Sequence, residues 1–269
     1  APPTQVFEGN DFDIQFLIKN EGAFSLEEQE DGYSYRASID LKYDSLYVFP
    51  VTSQYQTGSG LYVNPELIQL YGKSYYFPEG EEDYFAIDRF VALAVPGNFE
   101  VSKSIFQVAI CYPYKTIFSD QVCIDTDPEN LGRRDQVCNA QDLTYSQGQG
   151  APVAITKVES AMVPRGVYVQ PQFIIHIEHK GDGSIADFLL EQDSQGILGC
   201  KTQMSLDDIN TASYTAKLGG EELDCTPKKV YFDKQGNAQL SCILPSQSIL
   251  ATGSNYLTNI QVELSYTYT

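Results

Sequence analysis

Phe106-Gln107-Val108-Ala109-Ile110-Cys111-Tyr112-Pro113-Tyr114 and Ile260-Gln261-Val262-Glu263-Leu264-Ser265-Tyr266-Thr267-Tyr268 read as two versions of one strand, at an offset of 154 residues (260 − 106). In each, apolar residues recur at every second position, the period that puts them on one face of a β-strand. A second match lies upstream. Ile14-Gln15-Phe16-Leu17-Ile18, running on to Gly22, matches Phe173-Ile174-Ile175-His176-Ile177, running on to Gly181, at an offset of 159 (173 − 14). Two matches in the same order at nearly equal offsets predict an internal repeat: two copies of one β-sandwich.

The chain around these matches follows the same pattern. Tyr33 to Leu41 alternates cleanly, as do Lys229 to Phe232 and Ile260 to Leu264, and Gly, Pro, Asn and Asp punctuate the runs. Only Asp83 to Ala94 and Ile185 to Gln192 read as short helices. Asp127-Pro128 ends the first pattern, Tyr145 to Gly150 has the composition of a flexible joint, and Ala151 to Val158 opens the second copy. The expected organisation is therefore domain one over residues 1–124, a linker over 125–150 and domain two over 151–269. The fold class is all-β.

Composition narrows function by exclusion. Among 269 residues there are 17 Lys+Arg and 36 Asp+Glu, a net charge of −19. Such a surface repels nucleic acid and anionic lipid, so a charged partner should be cationic. The longest apolar run, Phe90 to Val95, is far too short to span a bilayer as a helix. His occurs twice and Trp not at all, against 19 Tyr and 14 Phe. This profile suits β-packing and supplies few general bases, so no catalytic residue is assigned and the chain is read as a non-enzyme.

Six cysteines without a C-x-x-C pair predict a disulfide framework in an oxidising compartment. Cys111 and Cys123 flank one apparent hairpin, and Cys225 and Cys242 flank another around Asp233-Lys234-Gln235-Gly236. Pairing by parity leaves Cys138 with Cys200, one of the 15 connectivities that six cysteines allow. The opening Ala1-Pro2-Pro3, without Met, suggests an exported protein from which a signal peptide has been removed.

Cys111-Tyr112-Pro113-Tyr114-Lys115-Thr116, then Val122-Cys123-Ile124-Asp125-Thr126-Asp127-Pro128, then Ala151-Pro152-Val153 resemble secreted or surface proteins of small-genome archaea that carry tandem immunoglobulin-like domains. More loosely, the strand followed by Asn-x-Gly is similar to archaeal adhesion-type immunoglobulin-like modules and to strand-donating filament subunits. The resemblance implies an extracellular, immunoglobulin-like protein with disulfide-stapled hairpins and names no activity.

Three further groups were weighed. Asp125, Asp127 and Glu129 alternate in a loop, as oxygen ligands of Ca²⁺ can, although a solvated acidic turn is the favoured reading. No other cofactor is expected. His176 and His179 do not have the spacing of a metal-binding helix, and on a strand His176 faces away from Ile175 and Ile177. Tyr43, Tyr47, Tyr55, Tyr62, Tyr71, Tyr75, Tyr76 and Tyr84 crowd one half of domain one, where tyrosine serves either a core or an interface.

The expected function is an extracellular structural protein that assembles with its own copies into a surface filament, pilus-like fibre or layer. The other reading is an adhesin or receptor ectodomain that grips a glycan or protein. Because the matching strand of domain two stops at Tyr266-Thr267-Tyr268, that sandwich is expected to lack its last strand. Thr4, Gln5, Val6 and Phe7 of a neighbouring copy would then fill the edge at Tyr266 and Tyr268.

Overall fold

The computed structural model describes residues 5–26, 34–51, 56–57, 60–63, 69–97, 100–129, 137–187, 190–192, 197–200, 205–245 and 249–269. All are strand, turn or irregular chain, with no helix among them. In chain order the strands are β1 (Asp11–Lys19), β2 (Ser34–Tyr35), β3 (Ser38–Lys42), β4 (Val48–Pro50), β5 (Gln56–Thr57), β6 (Gly60–Val63), β7 (Glu82–Ala92), β8 (Gln107–Asp125), β9 (Leu143–Thr144), β10 (Val153–Arg165) and β11 (Tyr168–His179). They continue as β12 (Ile185–Asp187), β13 (Leu190–Gln192), β14 (Ile197–Cys200), β15 (Thr211–Leu218), β16 (Glu221–Glu222), β17 (Asp224–Thr226), β18 (Val230–Tyr231), β19 (Asn237–Ile243), β20 (Ile249–Leu250) and β21 (Asn255–Tyr268). Both windows that read as helices are strands: Asp83–Ala94 lies largely in β7, and Ile185–Gln192 holds β12 and β13.

The chain forms two compact units, divided between Pro113 and Tyr114 rather than after residue 124. Unit 1 comprises Ala1–Pro113, Leu190–Thr202 and Thr269. Unit 2 comprises Tyr114–Leu189 and Gln203–Tyr268. The sequence hides this because β8 continues through Pro113 as a single strand. Its first residues pair with β3, from Ser38↔Cys111 to Lys42↔Gln107. Proline cannot donate to a ladder, and here it stands just past the last residue that pairs with β3, where the lost donor matters least.

In unit 1 β7 lies between β1 and β4, while β3 lies between β8 and β6. Ile14, Leu41 and Phe90 are the fully buried centre of the core, with Phe12, Phe16, Tyr43 and Phe106 packed around them. The Phe90 ring meets Phe12, Tyr43 and Phe106 at centroid distances of 5.7, 5.7 and 5.8 Å. Phe85 and Phe90 are five positions apart, so a regular strand would turn them to opposite faces. A bulge reconciles them: the register with β1 shifts between Phe12 and Ile14, and Arg89 adopts φ 60°. That displaced parity is what made the segment resemble a helix.

In unit 2 one sheet runs β17-β19-β11-β10-β9. In the other, β21 lies between β15 and the Tyr114–Asp125 part of β8. Val153, Ile155, Val158, Phe173, Ile175, Ile177 and Leu240 from the first sheet and Ile260, Val262, Leu264 and Tyr266 from the second are all at most 1% exposed. Each such side chain contributes about 2 kcal/mol relative to leaving it in water.

Strand pairing in the two units follows the same scheme. In unit 1, β1 pairs with β7 and β3 with β8. In unit 2, β11 pairs with β19 and β15 with β21, all antiparallel. Ser38 opposite Cys111 has its counterpart in Ser213 opposite Ser265.

Two expectations need correction. The last strand of unit 2 is not an open edge. Tyr266 and Tyr268 are 0% and 8% exposed, and β12 pairs with the end of β21 from Ile185↔Tyr268 to Asp187↔Tyr266. On its other side β21 borders β8, a single strand where the sequence pattern predicts two strands of domain one. The stretch expected to be a free linker is also structured where it is described. Cys138 is bonded to Cys123, β9 pairs with β10, and Gln149 exchanges two hydrogen bonds with the Ile155 backbone.

Candidate functional site

Comparing the repeated strands singles out one edge. In unit 2, β11 has β19 on one side and β10 on the other, and β10 reaches it through a tight turn at Gly166 (φ +69°), pairing from Arg165↔Tyr168 to Val153↔His179. In unit 1 the matching strand β1 also follows a tight turn. Asn10 N–H donates to Phe7 O at 3.1 Å, and Gly9 holds φ +78°. The turn is anchored at both sides, Gly9 N–H to Ala92 O at 2.8 Å and Val95 N–H to Glu8 Oε1 at 2.8 Å. Yet Gln5, Val6 and Phe7 do not return along β1. They lie outside any strand, and Phe7 is 82% exposed. Among the described residues β1 pairs with β7 alone. Thr4, the remaining expected interface residue, lies outside the described residues.

A second feature of unit 1 is a loop that displays aromatic rings. Tyr75 and Tyr76 are 92% and 84% exposed, with ring centroids 5.5 Å apart, and Tyr71 and Phe77 stack in parallel at 4.9 Å. The loop is tightly bonded: Glu81 N–H to Tyr71 O at 3.0 Å, Tyr71 N–H to Glu81 Oε2 at 2.8 Å, and Lys73 N–H to Gly22 O at 2.6 Å. Of the tyrosines that crowd this half of the sequence, Tyr43 packs in the core and Tyr75 and Tyr76 project from it, while Tyr55 and the Tyr62 side chain lie outside the described residues.

All six cysteines are oxidised, as Cys111–Cys200, Cys123–Cys138 and Cys225–Cys242. Only the last matches the pairing expected from spacing; its two residues sit directly opposite each other on β17 and β19. Cys111 and Cys123 cannot bond, because both lie on β8, and twelve residues of extended strand separate them by roughly 40 Å.

The charged groups form local structural contacts. Asp127 N–H donates to Asp125 Oδ1 at 2.8 Å, closing a turn, and Glu129 is exposed. Among the described residues no three His, Cys, Asp or Glu side chains assemble to hold a metal, these included. His176 Nε2 lies 3.0 Å from Glu159 Oε1, on a surface network with Lys157 and Asp142 in which Lys157 holds both carboxyls below their usual range. Buried Asp187 binds Lys229 and accepts from Ser213 Oγ at 2.6 Å. That partnership raises the Lys229 pKa, the wrong direction for a general base. A cleft of about 280 Å³ beside the Cys123–Cys138 bridge is lined by Gln121, Asn139, Gln141, Leu143 and Leu257, with no titratable side chain.

His179 offers a pH test. Its Nε2 lies 3.3 Å from Tyr268 Oη, and burial lowers its pKa against the opposing pull of Asp182. The unfolded chain therefore binds this proton more readily than the folded one, so stability falls as pH drops through about 6.5. Unfolding followed between about pH 7.5 and pH 5.5 should show a smaller acid loss in His179→Gln than in the parent protein. Parallel curves for the two would contradict this.

Comparison with family models, with curated proteins and with solved structures found no match.

Proposed function

We propose that this chain is a non-enzymatic, extracellular structural protein built from two immunoglobulin-like sandwiches. Its more particular form is the subunit of a surface filament whose copies join by strand exchange. The observation that carries this reading is the chain ahead of the nine-residue strand β1 in unit 1: past the turn at Gly9, Gln5, Val6 and Phe7 lie outside any strand with Phe7 exposed, where the hairpin of unit 2 has β10. The segment ahead of Gly9 is the donor, and a sheet edge of the next copy is the acceptor. Main-chain hydrogen bonds supply the affinity, and alternate side chains such as Val6 select the register. A donor and an acceptor that engage different neighbours make a heterologous contact, which propagates instead of closing. Three disulfides suit the oxidising exterior.

Removing residues 1–7 tests the proposal, and the high exposure of Phe7 means that the fold should survive the deletion. Electron microscopy and sedimentation of the purified protein should show fibres with the full chain and single copies with the shortened one. A peptide of residues 1–8 added to the full chain should shorten the fibres. Undiminished polymerisation of the shortened chain would end the strand-exchange reading.

A further inference from the structure

We infer that the loop Tyr71–Phe77, with the neighbouring start of β7, is a binding surface for an arginine-bearing protein segment. This is independent of the strand exchange proposed for the segment ahead of Gly9. The loop is preorganised, so its aromatic display is not a fluctuating end. Ser74 N–H donates to Phe77 O at 3.0 Å, Phe77 N–H to Ser74 Oγ at 3.2 Å, and Gly80 N–H to Phe77 O at 3.0 Å. Asn20 clamps the base, its Nδ2 donating to Phe24 O at 2.8 Å and Leu70 O at 3.0 Å, with Gly22 N–H returning to its Oδ1 at 3.0 Å. The fit leaves no space for a side chain at Gly72, or at Gly80 just past the loop. A Cβ on Gly72 would stand 2.8 Å from the Ala23 backbone, and one on Gly80 1.8 Å from Asn20 O.

On this frame Tyr75 and Tyr76 are almost wholly exposed. Rings held in water by a rigid loop keep their contact area available at little entropic cost on binding. The start of β7 adds further exposed apolar groups, the cross-strand pair Leu17 and Tyr84 being 47% and 74% exposed. Glu81 ties the two parts together, bonding Tyr71 immediately before β7 begins. Exposed rings gathered in this way mark a recognition surface more often than an accident of packing.

Charge selects the partner. Residues 71–84 contain Glu79, Glu81, Glu82 and Asp83 against Lys73 alone, and the whole chain carries −19. An acidic surface brought to this face would be repelled. Guanidinium groups suit both features, because they stack on tyrosine rings and pair with carboxylates in the same approach.

The test uses the full chain and a defined probe, a fluorescein-labelled peptide of alternating arginine and serine, with affinity read by calorimetry. The double variant Tyr75→Ala with Tyr76→Ala changes no charge and should weaken binding about tenfold or more. Glu79→Gln with Glu82→Gln should weaken it and flatten its dependence on salt. Glu81 is left intact because it holds the loop. Equal affinity of the tyrosine variant and the parent would reduce the effect to general attraction by an acidic protein and overturn the inference. It is equally overturned if the peptide fails to bind while a neutral oligosaccharide binds at the same tyrosines.

Discussion

Replacing Tyr266 by alanine is expected to cost unit 2 about 4 kcal/mol, the upper part of the range for emptying a large buried site. Tyr266 is 0% exposed and stacks on Tyr114 at 5.8 Å. Its hydroxyl lies 3.0 Å from Thr116 Oγ1 and accepts from Val153 N–H at 3.3 Å, joining three strands at one atom. Thr116 separately donates to Val153 O at 2.9 Å, so the phenylalanine variant leaves only part of the network unsatisfied. Tyr266→Phe should therefore cost only about 1 kcal/mol. In thermal unfolding the alanine variant should melt roughly 8–16 °C lower. Equal, small shifts for both variants would mean that the ring is not what holds these strands together.

The second large effect concerns Cys111–Cys200, which closes a sequence separation of 89 residues, against 15 and 17 for the other bridges. On the loop-entropy account it should stabilise by roughly 4–5 kcal/mol, compared with about 3 kcal/mol for each of the others. Among the described residues it has little competition as a tether. Within that set, the hairpin of β13 and β14 otherwise joins β2 through a parallel pairing of Ile197↔Ser34 and Leu198↔Tyr35. In the double variant Cys111→Ser with Cys200→Ser, limited proteolysis should cut within residues 190–200 and the unfolding midpoint should fall by more than in Cys123→Ser with Cys138→Ser. Protection of that hairpin without the bridge would show that strand pairing alone suffices.

Strand identity was legible in the sequence because the period of two is local. The alternation around Ile175 and Ile177 places both in the core and His176 outside it, as read. The pairing of Cys225 with Cys242 was legible for the same reason, since a nearby turn at Asp233 brings the strands together. What could not be read were the places where a segment changes partners. Nothing in Tyr112-Pro113-Tyr114 shows that β8 leaves β3 and continues beside β21, because the deciding contacts are with residues more than a hundred positions away. The bulge at Arg89 shifted the apolar parity and mimicked a helix. The tyrosine crowd was visible, but which rings face water depends on the hydrogen bonds that fix the loop at Asn20 and Gly80.

The passage of β8 out of unit 1, with residues 190–202 passing the other way, bears on how such a chain is made. Neither unit corresponds to a continuous stretch of sequence. When synthesis has passed Pro113, the first unit still lacks Cys200, the partner that Cys111 must find. The emerging chain must therefore hold that thiol unpaired while some ninety further residues arrive, with Cys123 and Cys138 becoming available before the correct partner does. Oxidation too early would favour a wrong bridge, so the order of bond formation is a constraint on maturation. The same interlacing means that neither unit can be transferred to another protein as a single gene segment.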